Sequence, residues 1–188
     1  HGNYTATTSI QNADLLIAIG VRFDDRVTAN PSFFAQNAKV IHADIDPAEI
    51  GKVRDAQVPI VGDAKSVIKG LIESLGEEKL NTENWISELK EMKTEFPLSY
   101  KQEDKGPLKV PYVLEELQKL TKEEAIVVAG VGQHQMWVSQ HWNFTEPNTW
   151  LNSGGLGTMG YALPAAIGAK TAYPDKLVLA LDGDGCFQ

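Results

Sequence analysis

Short apolar runs rich in β-branched residues recur along this chain, each separated from the next by a long connection, and that alternation limits the folds open to it. Leu15–Ile19, Val40–Ile45 and Val58–Val61 each end in glycine or aspartate and predict short buried strands. Ala64–Leu75 places Val67, Ile68, Leu71, Ile72 and Leu75 at helical spacing, and Gly76 is the expected stop. The second half repeats the alternation. Strands are predicted over Ala125–Ala129, Trp150–Asn152 and Leu177–Leu181, and helices over Pro111–Leu120, Gln133–His141 and Met159–Lys170. Strands joined by helical connections give an α/β fold of parallel sheets flanked by helices, and the second half reads as a βαβαβ unit of the nucleotide-binding kind.

Residues 77–106 change character. Glu77–Glu95 is charged, with Trp85, Ile86, Leu89 and Met92 as an amphipathic stripe. Pro97 and the polar stretch Lys101–Gly106 read as a connector, which predicts one domain over 1–100 and a second over 101–188. Hydrophobic residues make up 43% of the 188, enough for a core. The net charge of -8 argues against a nucleic-acid or anionic-membrane partner, since both need a basic face. A phosphorylated ligand stays compatible, because backbone dipoles and a metal hold phosphate on an acidic protein. Cys186 is the single cysteine, so no internal disulfide forms, which fits a reducing, cytoplasmic setting. No apolar run approaches the roughly 20 residues of a membrane span, and His1-Gly2-Asn3-Tyr4 has no charged leader-like region.

The residues with chemical potential cluster after the predicted strands, where such sheets bind ligands. Each has two readings. Gly183-Asp184-Gly185 offers Mg²⁺ a carboxylate flanked by glycines that let a diphosphate approach, or it is a plain turn. Asp182 is a rival ligand, but strand alternation points it away from Asp184. Gly155-x-Gly157-x-x-Gly160 matches the dinucleotide fingerprint by letter, or its small residues serve close helix–sheet packing. Met159 there supports a ligand ring or fills core. Gln133 and His134 suit an anion at a helix start, or cap that helix. Arg22-Phe23-Asp24-Asp25-Arg26 follows strand 15–19: its guanidinium groups meet a pyrophosphate, or form exposed ion pairs. Asp44 binds a ribose hydroxyl, or Asp44-Ile45-Asp46-Pro47 opens a short helix.

Taken together and in order, these segments resemble the catalytic subunit of the acetohydroxyacid synthase (acetolactate synthase) family. The resemblance is carried by Arg22 to Thr28, His42 to Lys52, Val61-Gly62-Asp63, Gly132 to Trp137, Ser153 to Gly160 and Leu163 to Ala169, and it runs over essentially the whole chain. It implies the later part of a central FAD-binding domain followed by the opening of a thiamine-diphosphate-binding domain. Gly20, Arg22, Asp24 and Arg26 would lie near the FAD pyrophosphate and ribityl chain, Asp44 near its adenosine part, and Asp63 would close that site. Gln133, His134, Gly157, Met159, Gly183 and Gly185 would meet thiamine diphosphate, and Asp184 would bind Mg²⁺.

The implied reaction decarboxylates pyruvate and passes the two-carbon unit to pyruvate or 2-ketobutyrate, in branched-chain amino acid biosynthesis. The implied assembly is a homodimer or tetramer, with a possible regulatory small subunit. The activating glutamate of the family belongs to a pyrimidine-binding domain and an Asn completes its Mg²⁺ site after Gln188. The chain is therefore expected to be a fragment without catalytic residues of its own, without carboligase activity, and with weak or absent cofactor binding. Two departures stand out: Cys186 where the family usually has Ser or Ala, and Ala29 where it commonly has Gly. The alternatives are pyruvate oxidase, glyoxylate carboligase, an FAD-free catabolic acetolactate synthase, a nicotinamide-dependent dehydrogenase, and a non-enzymatic scaffold.

Overall fold

The apolar runs form strands in the computed structural model, which describes residues 2–121 and 124–188. The chain divides into two compact α/β units, His1–Leu98 and Ser99–Gln188. Among the described residues, no helix is long and apolar enough to cross a membrane.

The first unit runs α1 (Tyr4–Asn12), β1 (Leu15–Ile19), α2 (Asp25–Thr28), a 3₁₀ turn, β2 (Lys39–Asp44), β3 (Val58–Val61), α3 (Ala64–Leu75) and α4 (Glu83–Glu95). Its sheet has the order β1-β2-β3 and is parallel, with Ile17 opposite Ile41 and Ile41 opposite Val58. Ala18, Phe23, Phe34, Ala35, Ala38 and Val40 form the core beside it. α1 is an element that apolar periodicity did not announce. Its Thr-rich sequence is a modest helix former, but Asn3 caps it, accepting from the Ala6 N–H at 2.8 Å, and Tyr4 stacks on Phe96 at the end of α4 with centroids 4.1 Å apart.

The second unit runs α5 (Val110–Thr121), β4 (Ile126–Ala129), α6 (Gln133–His141), β5 (Trp150–Asn152), α7 (Ala162–Ala172), β6 (Val178–Leu181) and α8 (Asp184–Phe187). The parallel order is β5-β4-β6, so the strand order reverses about β4. β4 is buried throughout and serves both faces. Val127 packs with Leu114 of α5 and Val138 and Trp142, whereas Ile126 and Val128 pack with Ala162 of α7. Complete burial of each valine is worth roughly 2 kcal/mol. Tyr100 leads into α5 with its hydroxyl donating to Glu115 at 2.6 Å, and this bond pushes the phenol up to about 12.

Most boundaries shift by a residue or two, and three departures from the sequence reading go further. The helix expected from Met159 begins at Ala162, because Gly157 and Gly160 take φ of 67° and 83°, outside helical geometry. The charged stretch from Glu77 becomes helical only at Glu83. The short helix expected at Pro47 is a run of turns, in which Asp46 Oδ1 accepts from the Ala48 N–H at 2.9 Å, and Ile45 falls just off β2 with 74% of its surface exposed. Ala29, where the resembled family has glycine, sits at φ 50°, ψ -109°, a conformation that suits glycine better than alanine.

Candidate functional site

Parallel strands deliver their carboxyl ends to one edge of a sheet, and in the second unit that edge gathers the marked residues. Ala129 is followed by Gly130–Gly132 and α6, Asn152 by Ser153–Gly157, and Leu181 by Asp182–Gly185. The edge is a reversal point of strand order, where open α/β sheets form a crevice. The Ser153 loop folds on itself: the Gly157 N–H donates to the Ser153 carbonyl at 3.0 Å and the Thr158 N–H to Ser153 Oγ at 2.9 Å. Gln135 Nε2 donates to Asn152 Oδ1 at 3.2 Å, joining α6 to the end of β5.

Two carboxylates part beyond β6, and the cause is the turn into α8 rather than the alternation expected from the sequence, which sets residues two apart on the same face. Asp182 turns inward and Asp184 stands exposed at the start of α8. The Asp182 side chain is only 10% exposed; its Oδ1 accepts from the Gly183 N–H at 3.2 Å and lies 3.7 Å from His134 Nε2. Asp182 Oδ2 and His134 Nε2 are both buried without a hydrogen-bond partner. Unpaired atoms of this kind cost about 1–3 kcal/mol each, so this corner of the edge is polar and suited to a polar partner. Met159 is 57% exposed, and a Cβ added to Gly185 would come within 3.2 Å of its methyl carbon, so these two segments meet over the edge.

The sequence reading placed Gln133 and His134 on a helix start, and they are there; the N-cap is Gly132, without a side-chain cap hydrogen bond. Gln133 is exposed, whereas the His134 ring turns back against Gly130, Gly132 and Gly183. Gly130 escaped the sequence reading altogether. A glycine after a strand is unremarkable by itself, and only the packing of Asp182 over its Cα marks it.

The edge of the first sheet gathers the other marked residues. Gly20 turns at φ 65° with its N–H on the Ala43 carbonyl at 2.8 Å, which ties the end of β1 to β2. Arg22 pairs with Asp24 at 2.8 Å, and Arg26 lies 4.0 Å from Asp25; both guanidinium groups remain about half exposed. Phe23 between them is buried against Phe34 and His42, and His42 Nε2 donates to the Val21 carbonyl at 2.8 Å. The aromatic anchor fixes the loop and leaves the arginines outward. Asp44 Oδ1 accepts from the Asp46 N–H at 2.9 Å, so an Asx turn follows β2.

Asp63 is the N-cap of α3: its Oδ2 accepts from the Ser66 N–H at 2.9 Å and Oγ at 3.1 Å. Those bonds, the backbone one foremost, hold its carboxyl below the usual aspartate range. A depressed folded-state value stabilises the fold above the unfolded value near 4, and the contribution disappears as pH falls through the folded value. Asp63→Ala is therefore expected to lower the thermal midpoint at neutral pH, with the gap from the parent closing on acidification. Asp63→Asn should retain most of the cap. Melting curves across pH for the three proteins check this; a gap that widens in acid would contradict the capping role.

Residues 1–71 match the thiamine pyrophosphate enzyme central domain, and residues 130–188 match the thiamine pyrophosphate enzyme C-terminal TPP binding domain. The acetolactate synthase large subunit of Corynebacterium glutamicum is 55% identical over 191 aligned residues, covering all of this chain and 30% of that protein. The acetolactate synthase of Mycobacterium leprae is 56% identical, again over the whole chain and 31% of its own length. A chloroplastic acetolactate synthase of Arabidopsis thaliana is 47% identical over the whole chain and 28% of its length. The chain thus spans about 30% of the length of these curated relatives.

Proposed function

Because the chain belongs to the acetolactate synthase family of thiamine pyrophosphate enzymes, we propose that it supplies the flavin-side and diphosphate-side parts of an enzyme that joins two 2-keto acids. The substrates are pyruvate and either pyruvate or 2-ketobutyrate. The proposed setting is cytoplasmic, in branched-chain amino acid biosynthesis, as a homodimer or tetramer with scope for a regulatory small subunit. Thiamine diphosphate, when bound, supplies the electron sink for decarboxylation and two-carbon transfer.

The residues at the second sheet's edge fit that cofactor and its metal. Asp184 presents a hard oxygen donor outward, the kind Mg²⁺ takes together with phosphate oxygens. Gly183 and Gly185 place no Cβ between the backbone and a diphosphate, with His134 and Met159 the nearest side chains to those two positions. Gln133 faces outward from α6 toward solvent at the same edge and is assigned to the diphosphate. Gly157 offers backbone to the aminopyrimidine, and Met159, exposed over Gly185, supports the cofactor with its thioether arm. His134 is held back from the surface by the Asp182 contact, so its part is to position the loop rather than to reach a phosphate.

At the first sheet's edge, Arg22 and Arg26 fit an FAD pyrophosphate, with Asp24 orienting Arg22 and Gly20 making the turn. Asp44 is assigned to the adenosine part. Asp63 fits less well as a direct ligand, because its carboxylate is committed to α3; it shapes the rim from there. The three relatives all being named acetolactate synthase, at 47–56% identity, favours this activity over pyruvate oxidase or glyoxylate carboligase. The arrangement around Gly155–Gly160 gives the dehydrogenase reading no independent support.

The observation that carries the proposal is identity of 47–56% over the whole chain, joined to an exposed Asp184 at the reversal point of the sheet. The test is a chimera in which this chain replaces the matching stretch of the Corynebacterium enzyme. It is expected to form acetolactate from pyruvate with thiamine diphosphate, FAD and Mg²⁺, whereas the 188-residue chain alone should not. A correctly folded chimera without turnover, or turnover by the chain alone, would refute one half of the proposal each.

A further inference from the structure

We infer that His42 is a positioning residue for the loop that carries Arg22 and Arg26: its buried imidazole holds that loop in one strained conformation before any ligand arrives. That role rests on the assignment of those arginines to a flavin pyrophosphate. Alternation along β2 sets His42 on the same face as Val40, and both are wholly buried. An apolar side chain is the ordinary occupant of such a place. Histidine is the less stable choice here, because its Nδ1 is buried with no hydrogen-bond partner. What the imidazole holds lies outside the strand. Its Nε2 donates to the Val21 carbonyl at 2.8 Å, on the residue just ahead of Arg22. A carbonyl only accepts, so the ring carries its proton on Nε2, and Nδ1 is left as the unused lone pair.

The loop needs such a hold. Phe23 and Ala29 stand on either side of α2 at φ 51° and 50°, and neither is glycine. A non-glycine residue keeps a positive φ only where its surroundings impose it. Here the surroundings are identifiable. The Phe23 ring is buried, meeting His42 edge-on at 5.0 Å and Phe34 at 6.0 Å. At the far end Thr28 is buried, and its hydroxyl donates to the Asp24 carbonyl at 3.1 Å. His42 therefore acts on the loop twice, through the Val21 carbonyl and through the Phe23 ring. Both contacts lie beneath the loop, which leaves the arginine side chains about half exposed. A ligand that meets a loop already set in place does not have to order it, and ordering is a large part of what weakens binding by mobile segments.

Trypsin, which cuts after arginine and lysine, reads the loop in the purified 188-residue chain without any flavin. His42→Leu is expected to speed cleavage after Arg22 and Arg26 about tenfold, the scale of one buried hydrogen bond, relative to cleavage after Lys90 and Lys93 of α4. His42→Gln, whose amide donates from nearly the same place, should recover most of the protection. Val40→Ala loosens the same core without touching the loop and should leave the ratio of the two cleavage rates unchanged. In the chimera, His42→Leu should raise the FAD concentration for half-maximal acetolactate formation about tenfold, again on the scale of that hydrogen bond. Turnover at saturating FAD and the thiamine diphosphate requirement should stay as in the parent. Loop cleavage that rises only in step with α4 cleavage, or an FAD requirement unmoved by His42→Leu, would overturn the inference. Lost loop protection in a chimera whose turnover needs no FAD would uphold His42 as the anchor of the loop and refute the flavin assignment alone.

Discussion

Asp184→Asn, placed in the chimera, is expected to lower acetolactate formation at least about a hundredfold at limiting Mg²⁺, which corresponds to about 2.7 kcal/mol of lost transition-state stabilisation. The proposed carboxylate contributes a full negative charge to a cation that also carries the diphosphate; the amide keeps one oxygen but no charge. Part of the loss should return as Mg²⁺ is raised, because the amide oxygen still ligates weakly. Folding should not suffer, since Asp184 is exposed at the first residue of a four-residue helix. Equal melting curves with a shifted Mg²⁺ requirement would locate the effect in metal binding. Asp182→Asn makes the contrast: that carboxylate points inward onto His134, so its loss should disturb the fold of the edge. A Mg²⁺ dependence unchanged by Asp184→Asn would remove the residue from the metal site.

The parallel α/β architecture was legible because buried strands here are short apolar runs with glycine or aspartate behind them. Leu15–Ile19 and Val58–Val61 form as read, and Val40–Ile45 moves by one residue at each end. Gln133–His141 also forms as read, although a helix so weakly amphipathic owes its place to Val138 and Trp142 in the core. What escaped the sequence depended on tertiary contact. α1 rests on its cap and on Phe96, some ninety positions away in the chain. Asp182 and Asp184 do part, but the turn into α8 separates them, since alternation sets residues two apart on the same face, and nothing in the sequence showed that Asp182 would turn onto His134. The His134–Asp182 contact joins residues separated by about fifty positions, which no local pattern announces. Met159 was assigned to a helix on composition, while backbone φ at Gly157 and Gly160 put it in the turn ahead, where it is available to the edge.

Gly130→Ala is expected to destabilise the second unit by about 3 kcal/mol, combining overpacking with displacement of a buried carboxylate from its partner. The position does not need glycine for its conformation, since its φ is not in the left-handed region, unlike Gly132 at 152°. It needs the space. A Cβ there would overlap Asp182 Oδ1, stand 2.8 Å from its Cγ and 3.1 Å from His134 Nε2. Neither neighbour can retreat cheaply. Asp182 is tied to the Gly183 N–H, and the imidazole is closed in by Gly132 and Gly183. The backbone of Gly130 is tied as well, its N–H donating to the Leu181 carbonyl at 3.1 Å and continuing the β4–β6 ladder. Relief must therefore come from the Asp182 rotamer, which would carry the carboxylate off its hydrogen bond and change the path into Gly183-Asp184-Gly185. Urea denaturation of the two proteins measures the difference, and the double variant Gly130→Ala with Asp182→Ala tests its origin. If the clash is the cause, removing the carboxylate should recover most of the loss that Gly130→Ala inflicts. If both variants simply add, the glycine is required for some reason other than the side chain above it.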